Sequence, residues 1–243
     1  MNYSSQKING IHFLAGNWPL KASLPTLLFV HGGGITGIMW ERQVQELREV
    51  CNTMAVDLPG HGGSEGNGFN SVDDYAIALN KLVKNIDNQN FILCGHSFGG
   101  AIVQQMILNE PDDFKACILI STGAMLKMDA KHFGGVREAY QESQNELNTL
   151  FPDVSLSTRV LMGDFFAYNK YNREEEIKSL SLPTLVMVGA DDIITPPAQS
   201  QDLHERIQGS EYKIIADAGH NINLHQPAAI ELEIKEFIER VVG

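Results

Sequence analysis

One serine in the sequence has neighbours that suit it for nucleophilic chemistry. Ser97 stands between Gly95 and Gly99 in the pattern G-x-S-x-G. The apolar stretch 91–94 has the length of a buried strand, and residues 101–108 have the length and spacing of a helix packed on one face. A strand that reverses into a helix within one residue strains that residue, so the residues two before and two after it must be small. We therefore predict that Ser97 is a nucleophile at a helix N-terminus, where backbone N–H groups and the helix dipole favour negative charge.

A serine hydroxyl reacts only if a base accepts its proton, and a third group must orient that base. The second half of the chain has both partners after strand-like stretches. Asp191 and Asp192 follow the apolar stretch 184–188. His220 follows the stretch 212–215. Because the carboxyl ends of parallel strands face one crevice, we expect these side chains to converge on the serine.

The same chemistry needs N–H groups that stabilise the oxyanion formed at the substrate carbonyl. The N–H of Phe98 follows the serine directly. Gly33 lies in the glycine-rich loop 31–34 (HGGG) after the apolar stretch 25–30, and glycines there let the backbone approach a substrate oxygen. Each such donor is worth about 3–4 kcal/mol in related chemistry. We predict that Gly33 and Phe98 form the oxyanion hole.

The elements that position these residues predict an α/β fold with a mostly parallel, doubly wound sheet. Strand-like and helix-like stretches alternate from residue 25 to residue 120, and the alternation resumes at residue 184. Ahead of this series, Asn9 and Gly10 separate two short alternating segments, which indicates a hairpin.

The alternation lapses between residues 124 and 182, where polar, helix-like stretches carry aromatic residues. We predict a helical cap at 124–182, inserted between a first core part at 1–123 and a second core part at 183–243. Most of its aromatic side chains would pack in the cap's own core. Phe165 and Phe166 are candidates for lining a substrate pocket.

The composition of the 243 residues, with 43% hydrophobic and 20% charged residues, is that of an ordinary globular protein. A net charge of −12 without a basic cluster argues against nucleic acids and anionic membranes as partners. The N-terminal residues lack an apolar signal region and no stretch approaches transmembrane length, so we expect a cytoplasmic protein. Cys51, Cys94 and Cys117 lie in or beside apolar runs without zinc-site spacing, so we expect buried thiols and neither metal nor organic cofactor.

Taken together, the motifs resemble those of the α/β-hydrolase superfamily, and specifically its small capped esterase, lactonase and carbon–carbon hydrolase branch. The likeness runs from about residue 8 to residue 242. It rests on five segments in order, which are HGGG at 31–34, DLPGHG at 57–62, GHSFGG at 95–100, GADD at 189–192 followed by Pro196, and Gly219 with His220.

This resemblance implies roles for the residues named above. Ser97 would be the nucleophile, His220 the general base and then acid, and Asp192 the acid that orients His220. Asp192 is preferred to Asp191 because the family places its acid four residues before a proline. The resemblance leaves the remaining polar residues of these motifs with structural roles: His31, Asp57 and His61 would stabilise loops, His96 would pack, and His225 departs from an acidic residue common in relatives.

The function predicted from these residues is hydrolysis of a small acyl compound, a carboxylic ester first, with lactones or thioesters as alternatives. The resemblance also allows carbon–carbon bond hydrolysis, which the sequence ITG at 35–37 disfavours because those relatives continue the glycine loop with Pro-Gly. It allows perhydrolysis with the same residues, whereas a serine nucleophile argues against epoxide hydrolases and haloalkane dehalogenases. From another class, the chain could be a ligand receptor with a hydrolase fold. The expected partners are an acyl substrate and water, and the oligomeric state stays open.

Overall fold

The computed structural model describes residues 3–87, 90–125 and 133–242, with the side chains of 133–135 left out. Within these residues an eight-stranded sheet has the order β1-β2-β4-β3-β5-β6-β7-β8. The strands are β1 (Ser4–Ile8), β2 (Ile11–Ala15), β3 (Thr26–Val30), β4 (Asn52–Val56), β5 (Phe91–His96), β6 (Phe114–Ile120), β7 (Thr184–Gly189) and β8 (Glu211–Ile215). All neighbours from β4 to β8 pair parallel, and only the β1–β2 and β2–β4 pairs are antiparallel. The predicted mostly parallel sheet is confirmed.

The hairpin that joins β1 and β2 turns at Asn9 and Gly10, as their sequence predicts. Both residues have positive φ, 49° and 79° respectively. Two consecutive positive φ values are those of a type I′ turn, which asparagine followed by glycine adopts with least strain. The hairpin places β1 at the outer edge of the sheet.

Helices cover both faces of the sheet. They are α1 (Glu41–Glu46), α2 (Val72–Lys84), α3 (Phe98–Asn109), α4 (Phe133–Leu150), α5 (Thr158–Lys170), α6 (Pro197–Arg206), α7 (Ile222–His225) and α8 (Pro227–Val242). Successive residues of β3 alternate between two apolar clusters, with Leu28 and Val30 in one and Leu27 and Phe29 in the other. A strand buried on both faces in this way reads as one continuous apolar run, which is the pattern at 25–30.

The apolar spacing of Trp40, Val44, Leu47 and Val50 predicts one helix over residues 39–50 with these side chains on one face. The predicted extent of this helix is wrong. A 3₁₀ turn over Gly37–Trp40 leads into the short helix α1, and the chain leaves helical geometry after Leu47. The physical reason is that β4 begins at Asn52, so the chain must turn toward the sheet first. The predicted apolar face is nevertheless buried, with Trp40 and Val44 fully inaccessible.

The helices α4 and α5 lie in sequence between β6 and β7, where the inserted cap is predicted. Its opening residues, 126–132, lie outside the described part of the chain. We call α4 and α5 the inserted helices below. The division of the chain into core and cap stays a prediction.

The carboxyl ends of four parallel strands bring the predicted site residues to one edge of the sheet. β3 ends before the loop 31–34, β5 ends before Ser97, β7 ends before Asp192, and β8 ends before His220. The three cysteines are buried free thiols, as predicted. No helix in the described residues combines the length and apolar character needed to cross a bilayer.

Candidate active site

Ser97 occupies a strained turn between β5 and α3. Its φ of 53° and ψ of −118° lie outside the regions that side-chain-bearing residues favour. Its N–H donates to Ile120 O (2.9 Å), and its carbonyl accepts from Thr122 Oγ1 (2.9 Å), so the backbone is fixed on both sides. A Cβ at Gly95 would clash with Gly99 O, and one at Gly99 would clash with the carbonyls of Val30 and His31 at the end of β3. The steric need for both glycines, predicted from the spacing, is therefore present.

Asp192 and His220 form a hydrogen-bonded pair. His220 Nδ1 lies 3.0 Å from Asp192 Oδ2 and 3.2 Å from Oδ1. The carboxylate also accepts the N–H groups of Ile194 and Thr195, each at 2.9 Å, and Thr195 Oγ1 lies 2.9 Å from Oδ2. Asp191 is exposed. Asp192 is thus the aspartate that faces His220.

The electrostatics of this pair favour an ionised aspartate. Burial is the largest single influence on Asp192 and raises the pKa of its carboxyl. The charge of His220 and the hydrogen bonds from His220 and Thr195 outweigh that influence, so the pKa is lowered from its ordinary value of 3.8. An ionised Asp192 accepts the Nδ1–H of His220, which leaves the Nε2 lone pair free to take up a proton.

Ser97 and His220 line the same cavity. The Ser97 hydroxyl makes no hydrogen bond to any residue in the described part of the chain, so its link to His220 is not formed here. Such bonds are often long in ligand-free enzymes and tighten when substrate binds. Ser97 is 8% exposed, and this small opening faces the cavity.

The two predicted oxyanion donors, Gly33 and Phe98, also line this cavity. A Cβ at Gly33 would meet nothing within 4 Å, so this backbone borders open space. The loop before it is held by His31, whose Nδ1 donates to Gly32 O (2.8 Å) and whose Nε2 accepts from Leu58 N–H (3.0 Å). Burial, followed by the proximity of His61, holds the pKa of His31 well below 6.5, so this histidine stays neutral as a loop anchor.

The cavity has a volume of about 200 Å³ and a mainly apolar wall. Side chains in that wall include Ile35, Met39, Leu147, Leu161, Phe165 and Tyr168. Of the two predicted lining phenylalanines, Phe165 is in the wall, whereas Phe166 is not and is half-exposed on another side of α5. Adjacent helical residues point about 100° apart, and the rotation of α5 turns Phe165 toward the cavity and Phe166 away from it.

His96, predicted to pack, also contacts His220, the predicted base. Its Nε2–H donates to the backbone carbonyl of His220 at 2.9 Å, and the two rings lie 4.8 Å apart. Burial, and secondarily the nearby His220, lowers the pKa of His96 to about 3. His96 is therefore neutral at pH 7 and acts as a donor that fixes the His220 backbone.

Glu146 on α4 also contacts the loop that carries His220, and the sequence analysis did not predict this contact. Glu146 Oε2 accepts from Asn221 Nδ2 (2.9 Å), and Glu146 Oε1 accepts from His225 Nε2 (2.8 Å). His225 Nδ1 in turn accepts the N–H of Gly219 at 3.1 Å. Glu146 thus contacts the residue after His220 directly and the residue before it through His225. His225, which departs from the acidic residue common in relatives, therefore has a specific hydrogen-bond partner in Glu146.

A second polar contact ties α5 to the core and was equally absent from the sequence predictions. Asp164 is buried and lines the cavity. It accepts from Tyr75 O–H (2.7 Å) and from His61 Nε2 (2.9 Å). His61, predicted only to stabilise its own loop, therefore also fastens an inserted helix. Asp57 does stabilise loops, since it accepts the N–H of Gly37 at 2.8 Å.

Among the described residues, no three His, Cys, Asp or Glu side chains form a cluster able to hold a metal ion.

Comparison with known proteins places this geometry in a family. The model of a family described as "Alpha/beta hydrolase family" matches residues 27–231. The chain is 24% identical to a pimeloyl-[acyl-carrier protein] methyl ester esterase of Neisseria meningitidis, over 86% of this chain and 91% of that protein. It is 23% identical to 3-oxoadipate enol-lactonase 2 of Acinetobacter baylyi, over 90% and 91% of the two chains.

Among solved structures, the enol-lactonase from Burkholderia xenovorans LB400 is similar, with a TM-score of 0.80 and 20% identity over 97% of this chain and all (100%) of that one. A hydrolase from Pseudomonas aeruginosa PA01 reaches a TM-score of 0.80 at 20% identity, over 98% of each chain. These likenesses show the fold, and the family match extends over most of the sequence. The chain therefore belongs to the alpha/beta hydrolase family and is a hydrolase of that fold.

Proposed function

We propose that the protein hydrolyses small carboxylic esters through Ser97, His220 and Asp192. The observation that carries the proposal is the joint placement of these residues. The Asp192–His220 pair, with its 3.0 Å hydrogen bond, orients a base at the wall of an apolar cavity that also contains the strained Ser97. That arrangement supplies a nucleophile, a base and an orienting acid in the roles acyl transfer requires.

In the acylation step, Ser97 Oγ attacks the ester carbonyl and its proton moves to His220 Nε2. The negative charge that develops on the carbonyl oxygen is stabilised by the N–H groups of Gly33 and Phe98 and by the N-terminus of α3. His220 then protonates the leaving alcohol. Asp192 stays ionised throughout and stabilises the imidazolium, in keeping with its lowered pKa.

In the deacylation step, water loses a proton to His220 and attacks the acyl-Ser97. The same N–H donors stabilise the second oxyanion, and His220 returns the proton to Ser97 as the acid leaves. The partners are thus an acyl substrate and water, and these steps use only side-chain and backbone groups of the chain.

The cavity supports a small acyl group. Its volume of about 200 Å³ is below the roughly 300–1,000 Å³ common for sites that enclose drug-sized ligands. Its wall is mainly apolar, which favours an aliphatic or aryl acyl group over a charged one. The charged side chains in this wall are Arg137 and the buried Asp164, and Ser143, Gln144, Asn169 and Asn221 are further polar residues in it.

The names of similar proteins support ester cleavage and add one specific alternative. One relative is named as a methyl ester esterase and another as an enol-lactonase. A lactone is a cyclic ester, so its opening uses the same steps with the alcohol retained on the acyl group. We therefore keep lactones as the second substrate class.

The test is a series of p-nitrophenyl esters of increasing acyl length, assayed with wild type, Ser97→Ala and Asp192→Asn. We expect turnover to peak at short or medium acyl chains and to collapse in both variants. The matched control is Asp191→Asn, which makes the same charge change at the adjacent, exposed residue and should retain activity. Activity that survives Ser97→Ala would overturn the assignment.

Absence of turnover on every ester would distinguish the remaining classes. If Ser97 still reacted with a fluorophosphonate, lactones, thioesters or carbon–carbon substrates would be tested next. If a folded protein neither turned over esters nor reacted at Ser97, the receptor reading would replace the proposal.

A further inference from the structure

A second serine, histidine and aspartate are connected by hydrogen bonds outside the cavity described above. Ser5 Oγ lies 2.7 Å from His12 Nε2, and His12 Nδ1 lies 2.7 Å from Asp57 Oδ2. Ser5 is on the edge strand β1, His12 is on β2, and Asp57 directly follows β4. None of the three lines the cavity that contains Ser97.

The hydrogen bonds around Asp57 determine which way the protons point. Asp57 is buried, and its carboxylate accepts the N–H of Gly37 at Oδ1 and the N–H of Gly63 at Oδ2, each at 2.8 Å. A carboxylate held by such donors acts as an acceptor toward His12, so Nδ1 of that ring carries the hydrogen. The lone pair of His12 Nε2 then faces Ser5, and the serine O–H donates to it. These are the roles of nucleophile, base and orienting acid.

This connection is complete without a ligand, unlike the one at Ser97. Ser5 is exposed and the His12 side chain is 19% exposed, so a solute can reach the hydroxyl. We propose that Ser5 is a second acyl-accepting nucleophile, which reacts with small activated acyl compounds such as aryl esters and thioesters of short acids.

The step balances as an ordinary acyl transfer. Ser5 Oγ forms a bond to the acyl carbonyl carbon, and its proton moves to His12 Nε2. The bond to the aryloxide or thiolate breaks, and the leaving group departs with the electron pair and is protonated by the imidazolium or by water. The product is an ester on Ser5.

The surroundings of Ser5 determine which acyl donors it accepts. Within the described residues β1 is the outer strand of the sheet, so every second N–H along it points away from β2 and has no strand partner there. Either Ser5 or both of its neighbours carry such an N–H. Lys7 pairs opposite His12 and shares the face of Ser5, and its ammonium group is ion-paired with Glu65 at 3.6 Å, so it adds little net positive charge there. Ser5 has neither the strained turn nor the helix N-terminus of Ser97, so it needs a good leaving group.

The test uses p-nitrophenyl acetate on the Ser97→Ala variant, in which the other nucleophile is absent. Peptide mass spectrometry locates acetyl groups, and hydroxylamine separates esters on serine, which it cleaves, from amides on lysine, which it does not. We expect a hydroxylamine-labile acetyl group on Ser5. It should form at least ~10-fold more slowly in Ser97→Ala/His12→Asn, because general base catalysis is typically worth that much or more.

His12→Asn is chosen because the asparagine amide can still donate to Asp57 in place of Nδ1, while the base at Nε2 is lost. Thermal unfolding of the variant checks that the hairpin remains folded. Ser4 is the internal control, since it points to the opposite face of β1 and bonds the carbonyl of Ala15. The proposal is overturned if Ser5 acquires no acetyl ester, if Ser4 is acetylated equally fast, or if His12→Asn leaves the rate at Ser5 unchanged.

Discussion

Glu146 gives the account a prediction that sequence reasoning alone could not make. Its carboxylate binds Asn221, directly after His220, at 2.9 Å and His225 at 2.8 Å, and His225 in turn accepts the N–H of Gly219, directly before His220. We expect Glu146→Ala to loosen the loop and displace the base while leaving the cavity wall intact. Glu146 is a positioning residue, since it acts on the reaction only through the placement of His220.

The expected size follows from the two hydrogen bonds. At roughly 1 kcal/mol for each bond, the loss is at most about 2 kcal/mol, which corresponds to a decrease in kcat of up to about 30-fold. The Glu146 side chain is 34% exposed, so water replaces part of the lost bonding and a decrease of about 5- to 10-fold is the central expectation. Glu146→Gln keeps an acceptor for one of the two donors and should recover part of the activity.

The assay is steady-state hydrolysis of the best p-nitrophenyl ester, with kcat and KM determined separately. Glu142→Ala is the matched control, because it removes the same charge from an exposed position one turn earlier on α4. We expect the decrease in kcat in Glu146→Ala alone, with KM changing less than kcat. Equal kcat in Glu146→Ala and wild type, or an equal loss in Glu142→Ala, would refute the reasoning.

Three further predictions follow from particular contacts. Asp192→Asn should lower kcat/KM by about 10⁴-fold, the size of the loss when the orienting acid of a serine protease is changed in this way, whereas Asp191→Asn should change it by less than about 2-fold in the same assay. Gly33→Ala should unfold at the wild-type temperature, because its Cβ meets nothing within 4 Å, and yet lose activity most on longer acyl chains. Gly34→Ala, at a φ of +79°, should instead lower the unfolding temperature, which scanning calorimetry measures for both variants. The pKa of His96 is lowered to about 3 from an ordinary 6.5, so as pH falls the unfolded chain takes up a proton there before the folded chain does. The free energy of unfolding should therefore fall as pH drops below about 6.5. Urea titrations at pH 7 and pH 5 should show a smaller decrease in the free energy of unfolding in His96→Gln than in wild type.

The parts of the site that the sequence predicts are those set by local geometry. The elbow at Ser97 needs small residues two before and two after it, and the clash at Gly95 lies within four residues of its cause, although Gly99 meets backbone carbonyls at the end of the distant strand β3. The hairpin at Asn9 and Gly10 is equally local, because its φ values depend on those two residues. The parallel order of strands follows from alternating apolar runs, since each connection must cross a face of the sheet.

The parts that the sequence does not predict depend on side chains far apart in the chain. His61 and Asp164 are separated by 103 residues, and His225 and Glu146 by 79, and no spacing rule relates such pairs. The choice between Phe165 and Phe166 depended on the rotation of α5 against the core, which neither the aromatic residues nor the helical pattern specifies. The short α1 reflects where β4 must begin, a tertiary constraint that overrides the helical pattern of its sequence.

The central claim is that Ser97 is the residue that becomes acylated. The most direct test is titration of the wild-type protein with a fluorophosphonate, followed by peptide mass spectrometry and by ester hydrolysis on the same samples. The account predicts that the adduct forms on Ser97 and that activity falls in proportion to the occupancy of Ser97. Activity that persists at full occupancy of Ser97, or that is lost while Ser97 stays unmodified, would contradict it.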